Sequence, residues 1–168
     1  QDKICNSSQI GGIETSILDN GPGRGMRIAW IDTGAGLRYK VVLDRGMDIV
    51  DAFFNSASLA FLTHAGVTAP KPDTTRGIEW LYSFGGGLVT TCGLTHVGPP
   101  ESDEFGERGL HGRISNIPAT IESIIQPDLP AGKLDFSITG LVKETRLFGP
   151  SLELRRTISG HSFGEMSR

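Results

Sequence analysis

Two histidines sit among small residues in this 168-residue chain. His96 follows Thr90-Thr-Cys-Gly-Leu-Thr95 and precedes Val97-Gly-Pro-Pro100. His111 lies in Gly109-Leu-His-Gly-Arg-Ile-Ser-Asn-Ile-Pro118, two residues before Arg113. Such neighbours let an imidazole reach a cleft, where it can move a proton near neutral pH or hydrogen-bond a hydroxyl. The competing reading for each is a ring satisfied by a backbone carbonyl. In Asp44-Arg-Gly-Met-Asp48, Arg45 offers a fork of donors to a hydroxylated or anionic ligand, and Asp48 could accept from hydroxyls. The plainer reading there is a charged turn with a local ion pair. Trp80, Tyr82 and Phe84 alternate, as core or as a platform for the apolar face of a ring. Glu101 and Glu104 form a carboxylate pair of the kind glycoside hydrolysis uses, but their Ser- and Gly-rich surroundings read as a solvated acidic loop. His64, His96 and His111 lack metal-ligand spacing, so no metal site is expected. Neither Gly21-Pro-Gly-Arg-Gly25 nor Gly85-Gly-Gly87 fits a phosphate loop opening a helix, and no cofactor is expected.

The elements that must position these groups read as strands. Met26, Ile28 and Trp30 alternate with Arg27, Ala29 and Ile31; Leu37, Tyr39, Val41 and Leu43 alternate with Arg38, Lys40 and Val42. The glycine-rich turn 32–37 joins them as a hairpin. Residues 49–54 form a third strand. Later, 120–125, 134–139, 141–147 and 152–158 predict an antiparallel meander of four strands, each with one wet face. No amphipathic helix of ten residues and no fixed repeat is visible. The segment 65–118 is rich in Gly, Pro and Thr and carries the aromatics and histidines. Functional loops on a sheet scaffold are expected there.

Composition narrows the classes. Sixteen Lys and Arg against 19 Asp and Glu give a formal net charge of −3, which argues against a dedicated nucleic-acid binder. Apolar runs of four or five residues predict no membrane-spanning helix. Glycine accounts for 23 residues, about twice the usual level, which suits many turns. Two cysteines, Cys5 and Cys92, make neither a disulfide framework nor a zinc site. No signal-peptide pattern is visible, which favours the cytoplasm over export without settling the compartment. Strand rhythm breaks off at 161–168, and this tail is read as aberrant.

Two long strings, 85–100 and 109–119, resemble the DUF4432 family of the galactose mutarotase-like (aldose 1-epimerase) superfamily. Asp44-Arg-Gly-Met-Asp-Ile49 and residues 148–158 are similar to its segments, and the resemblance runs in order from about residue 11 to 160. It implies an all-β fold, part of a β-supersandwich, with a sugar held in a cleft on one sheet. It implies interconversion of sugar anomers, in which a histidine and a carboxylate exchange protons with the ring oxygen and the anomeric hydroxyl. His111-Gly112-Arg113 is similar to a sugar-holding segment, although the arginine spacing differs from that of hexose-6-phosphate mutarotases. The expected substrate-binding residues are therefore His111, Arg113, Arg45, Asp48, Trp80 and His96. His96 is also a weak catalytic candidate, since it does not match the superfamily's catalytic histidine. The superfamily's proton-transfer pair lies on later strands, so residues 1–168 are expected to form one domain, the N-terminal half of a larger sandwich, inactive alone. The alternative is a carbohydrate-binding module without catalysis; a lyase or hydrolase using the acidic loop is a third reading. A half-sandwich would leave strand edges and an apolar face exposed, and either association of chains to cover them or poor solubility is expected.

Overall fold

A computed structural model describes residues 4–162. Twelve strands account for its regular structure, with only single-turn 3₁₀ segments between them. Strands β1 (Gly12–Ile17), β2 (Arg27–Asp32), β3 (Leu37–Val42), β4 (Asp48–Phe54) and β5 (Ala57–Ser58) form a five-stranded antiparallel meander in chain order. β6 (Phe61–Leu62) pairs with β7 (Gly86–Gly87), and β8 (Glu101–Asp103) with β9 (Gly106–Arg108). β10 (Thr120–Ile125), β11 (Asp135–Thr145) and β12 (Ser151–His161) form a three-stranded antiparallel sheet.

The period-two pattern explains the layering. Ala29 pairs with Val41 and Ile31 with Tyr39, so these residues share one face of the larger sheet. That face packs with Ile13 and Met47 against Phe136, Ile138 and Val142 of β11 in a single core. Ile28 pairs with Val42 on the opposite face, where Met26 and Val50 join them beneath Leu18, Val67 and Ala69. Both faces of the larger sheet are thus covered, one by the second sheet and one by the loop chain. This is an antiparallel, all-β sandwich, as the alternation predicts.

Three expectations change. The four later strands are three: β11 continues through residue 140, because Gly140 keeps the inward phase of Phe136, Ile138 and Val142 where β11 passes close to Met47. Trp80 and Tyr82 do not alternate on a strand; Glu79–Tyr82 is a 3₁₀ turn, which buries Trp80 and leaves Tyr82 71% exposed. The strand rhythm persists into the supposed tail, since His161 closes β12 opposite Asp135. Residues 163–168 lie outside the described part. Sequence periodicity also passed over β1 and the short pairs β6–β9.

The glycine run Gly85-Gly-Gly87 is a close approach of backbones. A Cβ on Gly85 would stand 2.3 Å from the Gly66 carbonyl oxygen, so only hydrogen fits there. This lets β7 lie against the loop at residues 63–67, bringing the central segment over the sheet.

Candidate functional site

The charged turn between β3 and β4 builds the floor. Asp44 is occupied by Arg27, accepting from its backbone N–H at 2.7 Å and its Nε at 2.8 Å. Arg45 points the other way, is 5% exposed, and donates through Nη1 to the carbonyl and Oγ1 of Thr68, each at 3.2 Å. Asp48 is 3% exposed, and its Oδ1 accepts from the Thr91 N–H at 2.7 Å. Burial pushes the Asp48 carboxyl up to about 6, opposed by the Thr91 hydrogen bond and by Arg45 and Arg156. Burial lowers the Arg45 guanidinium, with Asp48 pulling it back up. Both groups tie loops to the sheet and are buried beneath the surface.

Arg156 completes this layer from the other sheet. On β12 it shares the inward phase with Leu154 and Ile158. Its Nη1 donates to Gly46 O at 2.7 Å and Thr91 Oγ1 at 2.5 Å, and stands 4.0 Å from Asp48 Oδ1. One guanidinium therefore joins β12 to the 44–48 turn and to the loop leading to His96.

Above the floor lie the two histidine loops. His111 takes a left-handed backbone, φ 58°, and Gly112 follows at φ 73°. His111 and Gly98 are doubly joined: the His111 N–H donates to Gly98 O at 3.0 Å, and the Gly98 N–H donates to His111 Nδ1 at 3.2 Å. Nδ1 is an acceptor in this arrangement, which assigns the ring proton to Nε2. Among the described residues Nε2 has no protein partner. The Trp80 indole meets the His111 ring edge to face at 4.9 Å, stacks on Phe84 at 4.7 Å, and donates through Nε1 to Ser115 Oγ at 3.1 Å. Trp80 is 7% exposed and backs the His111 ring from within.

His96 is occupied on both sides. Its Nε2 faces Pro99 O at 2.8 Å, and its Nδ1 faces Glu101 Oε1 at 2.9 Å. Neither nitrogen is presented to a cleft. Glu101 thus has a partner in His96, and the acidic loop is the β8–β9 hairpin, crossed by the Arg108–Asp103 ion pair.

Arg113 is exposed and without a partner among the described residues, and it lines a cleft of about 290 Å³ beneath the β8–β9 hairpin. Thr75, Thr95, Arg108, Glu144 and Arg146 also line this cleft. Glu144 and Arg156 escaped the sequence reading. Each had a signal: a charged residue in the inward phase of an alternating strand, Glu144 after Gly140 and Val142, Arg156 between Leu154 and Ile158. A second hollow of about 520 Å³, lined by Trp30, Arg38 and Gln126 among others, includes none of the predicted site residues.

The structure brings His111 and Trp80 into contact, places Arg113 in the separate cleft under the β8–β9 hairpin, buries Arg45 and Asp48, and holds His96 inside its own loop. Among the described residues no cluster of three His, Cys, Asp or Glu side chains is arranged to hold a metal. Both cysteines are free and exposed. Among the described residues no helix is long and apolar enough to cross a membrane.

The antiparallel sandwich is similar in fold to a solved structure of the aldose 1-epimerase kind. The chain belongs to the family described as Domain of unknown function (DUF4432), whose model matches residues 23–166. A solved structure from Klebsiella pneumoniae subsp. pneumoniae, provisionally described as an aldose 1-epimerase, is similar with a TM-score of 0.70 at 21% identity. The match covers 94% of this chain and 43% of that one, so the chain spans less than half its length. No curated protein matches in sequence.

Proposed function

We propose that this chain binds a neutral or modified sugar as part of an aldose 1-epimerase-like protein that interconverts anomers by acid/base ring opening. The observation that carries the reading is His111. Its Nδ1 is held by the Gly98 N–H, so Nε2 is left as a donor without a partner among the described residues, and Arg113, two residues on in the chain, is likewise unpartnered among them. Two donors of this kind suit the oxygens of a polyol. We assign His111 and Arg113 to binding. Trp80 holds the His111 ring, while Arg45 and Asp48 hold the loops from below. His96, with both nitrogens occupied, serves the shape of the site.

Anomer exchange opens the sugar ring: a base takes the anomeric hydroxyl proton, an acid protonates the ring oxygen, and the bond from C1 to the ring oxygen breaks as the anomeric oxygen becomes the aldehyde C=O; rotation about C1–C2 and closure on the other face reverse the steps. The resemblance assigns these proton transfers to a histidine and a carboxylate other than those named here. Mutarotation followed by NMR over a panel of aldoses, for this chain and for the complete reading frame, tests the proposal. Faster α/β exchange with the complete reading frame is the expected result. Saturable sugar binding without faster exchange selects the non-catalytic binding module. Absence of both binding and acceleration overturns the sugar reading.

A further inference from the structure

Glu144 is 6% exposed, and its Oε2 is buried without a hydrogen-bond partner among the described residues, while Oε1 accepts from Thr95 Oγ1 at 2.8 Å. A buried carboxylate oxygen left unpaired is costly, because desolvation is not offset by a donor. The residue occupies the last inward position of β11, where the apolar sandwich ends and the cleft under the β8–β9 hairpin begins. The hairpin is tied over this cleft by Arg146, whose Nη1 donates to Phe105 O, and by Arg108, which donates to Asp103 and to Thr95 O. Among the described residues, Arg113, at the cleft wall, is the one lining guanidinium with no partner.

Resting on the sugar-binding reading, we infer that this cleft is the subsite for a vicinal diol of a neutral sugar. One hydroxyl donates its hydrogen to Glu144 Oε2, and the diol oxygens accept from Arg113. The charges select this chemistry. A cationic group meets three guanidiniums, Arg108, Arg113 and Arg146. A phosphate or carboxylate meets the Glu107 and Glu144 carboxylates, with Arg108 already committed to Asp103. A hydroxyl pair both donates and accepts, and so satisfies the unpaired oxygen and the free guanidinium together.

The test is an NMR titration of the labelled chain with D-galactose, D-glucose and D-galacturonate. Glu144→Gln retains an acceptor for Thr95 but presents an amide N–H₂ towards the diol. Arg113→Gln alters an exposed, unpartnered residue and leaves the fold unchanged. The expected result is shifts at Thr75, Thr95 and Arg113 with a neutral sugar. Affinity falls about tenfold in Glu144→Gln and about fivefold in Arg113→Gln, and galacturonate binds no better than galactose. Neutral sugar binding with shifts elsewhere and wild-type affinity in both variants overturns the subsite but leaves the sugar reading standing. Tighter galacturonate binding that is lost in Arg113→Gln overturns the neutral diol. No binding of any of the three sugars by the wild-type chain overturns the subsite together with the sugar-binding reading on which it rests. Should Glu144→Gln fail to fold, the shift map and Arg113→Gln decide.

Discussion

The Gly98 N–H donates to His111 Nδ1 at 3.2 Å, while the His111 N–H donates back to Gly98 O at 3.0 Å. Each bond alone is ordinary. Together they fix both the backbone and the tautomer of His111, so that the ring's remaining N–H has one direction. His111→Ala is expected to weaken sugar binding about tenfold while moving the unfolding midpoint little, since the half-buried ring lies outside the main core. Titration and thermal melts of the same variant check this. A wild-type affinity removes His111 from the site.

Gly112 stands behind that geometry. A Cβ there would lie 2.8 Å from His96 O, and its φ of 73° is one that other residues adopt at a cost. Gly112→Ala is expected to destabilise the chain by about 2 kcal/mol and to disturb both histidine loops. Urea denaturation measures the first effect and the amide shifts of His96 and His111 the second. An unchanged midpoint contradicts the close approach.

Asp48 carries a pH dependence with a definite sign. Its folded carboxyl is pushed up to about 6 from 3.8, chiefly by burial. A raised carboxyl contributes stability that is full below the unfolded value and is lost as pH rises through the folded one. At about 1.4 kcal/mol per unit, the loss between pH 4 and 7 is on the order of 3 kcal/mol. Asp48→Asn removes that slope, although it leaves Arg45 and Arg156 without a counter-charge. The stability of Asp48→Asn relative to wild type is therefore expected to rise from pH 4 to pH 7. Paired denaturation series across that range would expose a flat or falling difference, which contradicts the assignment.

Arg156 joins the two sheets through backbone oxygens of the 44–48 turn. Arg156→Met keeps much of the stem's packing but deletes the donors to Gly46 O and Thr91 Oγ1. A loss of about 2 kcal/mol is expected, with Arg156→Lys restoring part of it, because both bonds come from one nitrogen, Nη1, and an ammonium also carries several donors. Equal stability of all three proteins assigns the joining of the sheets to the apolar core alone.

Phe61 and Tyr82 are 69% and 71% exposed, and Ile78 is 64% exposed. We propose that association of chains covers these residues. Light scattering at tens of micromolar is expected to report a species larger than the 18.0 kDa chain, shifted towards monomer by Phe61→Asp with Tyr82→Ser. A monomer at that concentration contradicts the proposal.

Alternation along β2, β3 and β4 was enough to predict the hairpin, the third strand and the two-faced sheet, because side chains on neighbouring residues point to opposite faces whatever the surroundings. The same rule carried the later strands, but it could not show that β11 runs on through Gly140. A glycine weakens a strand locally, and only the close passage of β11 beside Met47 gives that position a reason. Trp80 was misplaced for a related cause: three alternating aromatics imply a strand only if the backbone stays extended, and the turn at Glu79–Tyr82 is set by packing on Phe84 and Ser115.

The candidate site divides in the same way. Residue type and local company sufficed to single out His111, Arg45 and Asp48, and Arg113 came from the family resemblance of the His111-Gly112-Arg113 segment. Their depth was decided by tertiary structure, which buries Arg45 and Asp48 under the loops, closes both nitrogens of His96 and leaves His111 Nε2 open. Glu144 and Arg156 were written in the sequence as charges in an apolar phase. Their partners are 49 and 110 residues away in the chain, at Thr95 and Gly46, and no local pattern encodes a contact that only the stacking of two sheets creates.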